Sequence, residues 1–394
     1  MSGRIVWVAA EVVDRATGGG GGIRHVHLLR RLAAEVPVRL VALGPEIDPT
    51  VADRVDRLVL VSPARALEDR ARRAAGRALA GVSLPEVDAL APFCQQVPRS
   101  WLADEQTTTV LCHLATQDLA TETRGPVVSH LFHRSSAHLA AEAKRATGVR
   151  QARLRRYAHV ATRREGAAVD RADLTLVVTE ADAAGLPPDR VEVVPNGVDV
   201  DVGAGLPTGP PPTPRVLLPG TLFYGPNVDG ARWYVDEVWP AVRAEIPAAE
   251  LVLAGRGPTA EVRALADRPG VAVHADVPDM AAEMAAARVV VVPLRYGTGT
   301  RLKALEALAA PRPLVGTTVG LAGLGIEDGV HARVADDAAG LARATVAALA
   351  DDDTALVERG RALVQDRHTW DAQADRLLTV LADRGLLPPR RGTP

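Results

Sequence analysis

The chain has 394 residues, 47% apolar but only 3% aromatic, which suits two α/β domains with aliphatic cores better than one large domain. Its formal net charge of −2 gives no global attraction for nucleic acid. Cys94 and Cys112 stand outside any CxxC or metal-ligand spacing, so both are expected to be reduced thiols in a cytoplasmic protein.

The first apolar run, Ile5–Ala10, meets Glu11 too soon to be a signal-peptide core and reads as a buried strand. Further strands are expected at Val38–Leu43, Arg57–Val61, Thr108–Cys112, Pro126–Leu131 and Leu174–Val178. Amphipathic stretches at Ile23–Ala34 and Ala137–Arg171 lie between them. Continuous Val/Leu/Ile runs mark strands buried on both faces, hence a parallel sheet covered by helices. The Gly/Pro-rich segment Gly203–Pro214 then reads as a linker. After it the alternation restarts. Strands are expected at Val216–Gly220, Glu250–Gly255, Val271–Ala275, Val289–Pro293 and Pro313–Gly316, and helices at Val228–Glu245, Thr259–Ala266, Asp279–Ala287 and Arg301–Leu308. The expected architecture is α/β, two doubly wound Rossmann-like domains facing across a cleft, with function in the loops after the strands. No segment reaches the ~18 apolar residues of a membrane span, so any membrane contact would be peripheral.

Five motifs could carry chemistry. Glycine-rich Ala16–Leu32 follows the first strand and opens a helix, a place where backbone N–H groups can approach an anion; it lacks the third glycine of a dinucleotide fingerprint and the GK[ST] of a P-loop. Val193–Val200 holds an Asn-Gly turn. Arg295–Leu308 joins a Gly/Thr loop to a helix start that carries Arg301 and Lys303, cations that oppose the helix dipole unless an anion binds there. His130, His133 and His138 follow a strand without a metal-ligand spacing. Lys144–Arg164 holds eight basic residues and no acidic one, either a solvated helix face or a surface for an anionic lipid or acceptor.

In this order these motifs resemble the retaining glycosyltransferases of family 4, which have the GT-B fold. The resemblance rests on VVPNGVD, LLPGTLFYGPNVDGARWYVDEVWPAV, LVLAGRGP, VVVVPLRYGTGTRLKALEALA and the terminal HTWDAQADRLLTVL. It implies an acceptor-side domain over residues 1–202, a linker over 203–214, a donor-binding domain over 215–368 and a C-terminal helix in 369–394 that crosses back. It implies that Glu306 binds the ribose, that Gly297, Thr298, Gly299 and Thr300 with Arg301 and Lys303 hold the diphosphate, and that Gly21 and Gly22 approach it from the first domain. Gly220 and Arg256 would line the nucleotide cleft, and His133, with His130 as the alternative, matches the active-site histidine. Thr298 stands where many members have a glutamate, and Thr221 and Asn227 stand where they have Arg and Lys, which shifts phosphate charge onto Arg301, Lys303 and either Arg24 or Arg295. Glu306, Arg301 and His133 are the expected catalytic set.

The implied reaction is hexosyl transfer from a nucleotide sugar, used as co-substrate with no cofactor and no metal, to a small-molecule, lipid or glycan acceptor. Three readings stay open: this transferase, a nucleotide-sugar epimerase or glycosyl phosphorylase of the same fold, and a catalytically silent nucleotide-sugar-binding protein.

Overall fold

The computed structural model describes residues 3–15, 19–62, 84–203, 211–351 and 353–391. The chain forms two compact units, Met1–Asn196 with Trp370–Pro394, and Gly197–Thr369. Most of the linker expected at 203–214 (204–210) lies outside the described residues. The division falls at Asn196/Gly197 because Val198 already belongs to the second unit: it is buried in that unit's core and bridges Thr369.

The first unit holds a seven-stranded sheet in the order β3-β2-β1-β4-β5-β6-β7. Its strands are β1 (Arg4–Val12), β2 (Val38–Leu43), β3 (Arg57–Val61), β4 (Thr107–Cys112), β5 (Val127–His130), β6 (Leu174–Val177) and β7 (Val191–Val193). All pairings are parallel. β7 has only three residues between proline-rich flanks, too few for periodicity to reveal. Among the helices, α1 (Gly19–Glu35) follows β1, and α2 (Ser135–Arg145) and α3 (Gly148–Arg171) follow β5. The sequence suggests one helix over Ala137–Arg171. It breaks because Ala146 is extended and Gly148 takes a φ of 58°, open to glycine at no steric cost.

The second unit holds a six-stranded sheet, β10-β9-β8-β11-β12-β13. These are β8 (Arg215–Pro219), β9 (Glu250–Gly255), β10 (Val271–Ala275), β11 (Val289–Val292), β12 (Leu314–Gly316) and the two-residue β13 (Arg333–Val334). They too pair in parallel. Where one helix was expected over Val228–Glu245, α4 (Gly225–Trp233) gives way to a π turn at Tyr234–Val238 before a further helix at Trp239–Glu245. Pro240 explains the interruption: it lacks an N–H and its ring would strike a carbonyl one turn back. α5 (Leu302–Ala309) follows the loop after β11, and α6 (Trp370–Asp383) packs on α1 within the first unit.

Candidate active site

In each sheet the strand order reverses once, between β1 and β4 in the first unit and between β8 and β11 in the second. Loops that leave neighbouring strands in opposite directions open a crevice at that point, where ligands bind in doubly wound sheets.

In the second unit the crevice lies between the loops after β8 and β11. Gly220 ends β8 with φ 153°, and its N–H bonds the Ala254 carbonyl at 2.9 Å. A Cβ there would sit 2.7 Å from Lys303 Nζ and 2.9 Å from Asn227 Nδ2, so a cation rests against bare backbone. Lys303 donates to Asn227 Oδ1 at 2.7 Å, and Asn227 Nδ2 donates to the Thr221 carbonyl at 2.8 Å. Asn227 thus holds the lysine in place. Desolvation and the neighbouring Arg301 push Lys303 down to about 7, with Glu306 opposing the shift.

Glu306 lies one turn further along α5, half-buried, and its carboxylate has no hydrogen bond among the described residues. Desolvation raises its pKa, and Lys303 partly offsets this. The loop between β11 and α5 carries Gly297 at φ 135° and Gly299 at φ 75°, the left-handed region where a side chain is strained. Gly297 is also needed for space, since a Cβ would lie 2.9 Å from an Arg301 guanidinium nitrogen.

Three of the expected cations in this unit are placed as follows. Arg301 is buried at the helix start, where its guanidinium bonds the carbonyls of Thr298 and Gly299, the latter at 2.8 Å. It therefore shapes the loop rather than projecting from it. Arg295 makes a two-pronged pair with Asp229 at 2.7 and 2.9 Å and lies 5.1 Å over the Trp233 ring, so its charge is already matched. Arg256 is exposed after β9, and its carbonyl accepts from Leu222 N–H at 2.8 Å. Thr300 is buried at the helix start. Sequence reasoning passed over Phe223 and Tyr224, exposed by 56% and 37% in the loop after β8, an unusual cost in a chain so poor in aromatics.

In the first unit the crevice is flanked by α1 after β1 and by the loop after β4. The described glycines are helical: α1 starts at Gly19, and Gly21 and Gly22 form its first turns. A Cβ on Gly22 would meet the Val12 carbonyl at 2.2 Å, and one on Gly21 would meet the Glu11 carboxylate at 1.9 Å. These glycines let α1 lie against the end of β1. Glu11 is pushed up to about 7 by desolvation, and its Oε2 lies 3.5 Å from His25 Nε2.

Arg24 does not fit a phosphate-gripping role. It is 1% exposed, and its guanidinium donates to His130 Nε2 at 3.0 Å, the carbonyls of Val194 and Pro195 at 2.7 Å, and Asn196 Oδ1 at 2.9 Å. It pins α1 to the Asn-Gly turn, which is therefore an anchor as well as a turn. His130 is wholly buried, with Nδ1 3.5 Å from Cys112 Sγ. His133 is half-exposed in the loop beyond β5, its ring 5.4 Å from that of His138.

Ligand atoms of His25, Cys112 and His130 lie within 4.8 Å of one another. His130 Nε2 accepts from Arg24, which leaves the ring proton on Nδ1 facing Cys112, where a metal would need a lone pair beside a guanidinium. Arg24, His130 and Cys112 thus form a buried polar chain, against which the His25 ring packs edge-on at 5.9 Å from that of His130, with no hydrogen bond from its own nitrogens. His113, missed in the sequence, leaves β4 with φ 80°, a costly conformation for a residue with a side chain, and its Nδ1 accepts from Ala115 N–H at 3.1 Å. Its signal was available: it is the first residue after the strand on the far side of the crevice.

Residues 213–351 match the family model of the glycosyl transferases group 1. An uncharacterized 44.6 kDa protein in the cps region of Klebsiella pneumoniae is 30% identical over 131 residues; the match takes in 31% of this chain and 34% of that protein, about a third of its length. Among solved structures, sucrose-phosphate synthase from Thermosynechococcus elongatus has TM-score 0.66 at 19% identity, covering 96% of this chain and 98% of that one. HepE of Anabaena, solved with UDP and glucose, has TM-score 0.64 at 13% identity (96% and 99% covered). A UDP-forming trehalose-phosphate synthase from Burkholderia xenovorans, in complex with glucose-6-phosphate, has TM-score 0.67 at 14% identity (96% and 100% covered). The fold is that of the GT-B glycosyltransferases, α/β with two doubly wound parallel sheets. Among the described residues no helix is long and apolar enough to cross a membrane.

Proposed function

We propose that the chain is a retaining glycosyltransferase of family 4 that moves a sugar from a nucleoside-diphosphate sugar to a hydroxyl-bearing small-molecule, lipid or glycan acceptor. The observation that carries this is the arrangement at the second crevice. Lys303 Nζ is pressed against Gly220, and one helical turn away Glu306 keeps a half-buried carboxylate without a hydrogen bond, all within the segment matching the group 1 family. A half-buried, unsatisfied carboxylate beside a desolvated ammonium suits a ligand that brings hydroxyls for the first and phosphate for the second.

In this reading Glu306 accepts hydrogen bonds from the ribose hydroxyls. Lys303 and the N–H groups of Gly297–Thr300 hold the diphosphate, with Gly220 leaving room for it and Arg301 keeping the loop in shape. The bond from the anomeric carbon to the β-phosphate oxygen breaks as the acceptor oxygen bonds that carbon on the same face. The acceptor proton passes to the leaving phosphate oxygen. Fixed dipoles and a cation aimed at the leaving group are the kind of term that dominates such catalysis, and they do the work of a divalent ion here. Gly21 and Gly22, with His133 and His113, belong to the acceptor side. Two cysteines that form no disulfide, Cys94 and Cys112, fit a cytoplasmic enzyme.

The test is a thermal-shift panel of UDP-, GDP- and dTDP-sugars on wild type and Glu306→Ala. A ligand at 100 times its dissociation constant adds about 2.7 kcal/mol, which moves a melting point by several degrees. One nucleotide class is expected to stabilise the wild type, and the variant to lose most of that shift. No shift with any nucleotide sugar would sink the proposal.

A further inference from the structure

A cavity of about 320 Å³ opens on the flank of the first unit, lined by Leu114, Gln117 and Asp118 from the 3₁₀ segment Leu114–Glu122 and by residues of α3. The α3 residues that line it form a row at helical spacing: His159, Arg163, Ala167 and Arg171 are each four apart and so share one face, with Val160 and Arg164 beside them. Leu114, Val160 and Ala167 give it an apolar floor, and Ala167 leaves a gap in the cationic row where longer side chains would meet.

The charges around the cavity do not cancel. Three guanidiniums and one imidazole line it against a single carboxylate, Asp118, which is held by Arg164 at 3.3 Å. The next acid on α3, Asp170, is exposed and does not line the cavity, and Glu165 is buried on another face in a pair with Arg134 at 2.7 Å. Arg163 and Arg171 are exposed and make no hydrogen bond or ion pair among the described residues. Arg163 and Arg171 stand two turns apart with Ala167 between them, so both cations are brought to one concavity rather than spread over the surface.

We propose that this cavity is an anion site for a phosphoryl group, separate from the donor crevice of the second unit and independent of the activity proposed above. Planar guanidinium forks pair two-pronged with phosphate oxygens, and two of the three forks here are unengaged. The apolar floor would take the carbon part of a phosphate ester. The phosphoryl group could belong to a soluble ester or to a lipid headgroup lying against α3.

Inorganic phosphate is titrated by calorimetry at low salt into the full chain, Arg163→Ala/Arg171→Ala and Lys303→Met. Phosphate binding at this cavity is expected to persist in Lys303→Met, whatever the donor crevice adds in wild type, and to be at least about tenfold weaker in the double variant, since a charge-assisted bond is worth a factor of that order. Both replaced side chains are exposed, so an unchanged melting curve is expected to show the double variant folded. Sedimentation with phosphatidylglycerol vesicles that the double variant loses, while phosphatidylcholine vesicles bind neither protein, assigns the phosphoryl group to a lipid headgroup. Phosphate binding without sedimentation assigns it to a soluble ester. Equal phosphate binding by all three proteins, loss only in Lys303→Met, or binding of neither phosphate nor vesicles overturns the proposal.

Discussion

An ammonium pressed against bare glycine backbone is an unfavourable place for a charge until an anion arrives, and the titration of Lys303 carries the mark of it. Its pKa falls from 10.5 to about 7 through desolvation and the charge of Arg301. Because the folded value lies below the unfolded one, the unfolded chain binds more protons between these limits. The penalty is complete below about pH 7 and is relieved as pH rises toward 10.5, so this residue's contribution to apo stability improves with pH. Ligand binding has the opposite sense: a diphosphate stabilises the charged lysine, so above pH 7 binding must take up a proton. Affinity for whichever nucleoside diphosphate binds should therefore fall with pH between 7 and 9, by up to about tenfold per unit. Lys303→Met should bind about 10- to 100-fold more weakly at pH 6.5, the worth of one charge-assisted bond, with a flat profile. Calorimetric titrations at several pH values check both, and a sloping profile in the variant would remove Lys303 from the role.

At the scale of elements, α1 shows how a glycine run serves packing before it serves a ligand. Gly22→Ala would place a methyl 2.2 Å from the Val12 carbonyl, on backbone that cannot swing aside. Overpacking of this kind costs about 1–3 kcal/mol, so denaturant unfolding should show a loss in that range. The strands were legible as short Val/Leu-rich runs bounded by polar or turn residues: Val38–Leu43 and Glu250–Gly255, largely buried, and the half-exposed edge strands Arg57–Val61 and Val271–Ala275 begin and end where composition put them. β7 and β13 were not, since three and two residues carry no period. The helix breaks at Ala146–Gly148 and Tyr234–Val238 came from a glycine conformation and a proline that periodicity does not weigh. At the second crevice, Gly220, Lys303 and Glu306 stood out as candidates because glycine and charge at a strand-to-helix loop have few other uses. Arg24 and Arg301 misled for a physical reason: a charge in sequence does not reveal that carbonyls already surround it in space. His113 stayed hidden because backbone strain leaves no mark in composition.

For the whole molecule, the chain order and the folding units do not coincide, and this has a testable consequence. Trp370–Pro394 completes the first unit: Ala374, Leu377, Leu378, Leu381 and Leu386 are buried in its core with Val26, Leu29 and Leu32 of α1. Trp370 stacks on His27 at 4.8 Å, Thr108 Oγ1 donates to the Leu386 carbonyl at 2.8 Å, and Arg391 donates to the Ala33 carbonyl at 3.0 Å. A buried leucine truncated to alanine costs about 2–5 kcal/mol, so losing four buried leucines together costs about as much as the roughly 5–15 kcal/mol by which a domain is stable. The second unit needs none of them. Val198 N–H bonds the His368 carbonyl at 2.8 Å, and Val198 pairs with Thr369, so that unit closes before Trp370. A chain ending at Thr369 should therefore keep the second unit folded and lose the first. Hydrogen exchange read by peptide separates the two: amides of β1 and β4 are expected to exchange within the dead time, while those of β8 and β11 keep the protection they have in the full chain. Protection of β1 and β4 in the truncated chain would mean that the first sheet is stable without α6, and that the C-terminal segment serves some purpose other than completing its core.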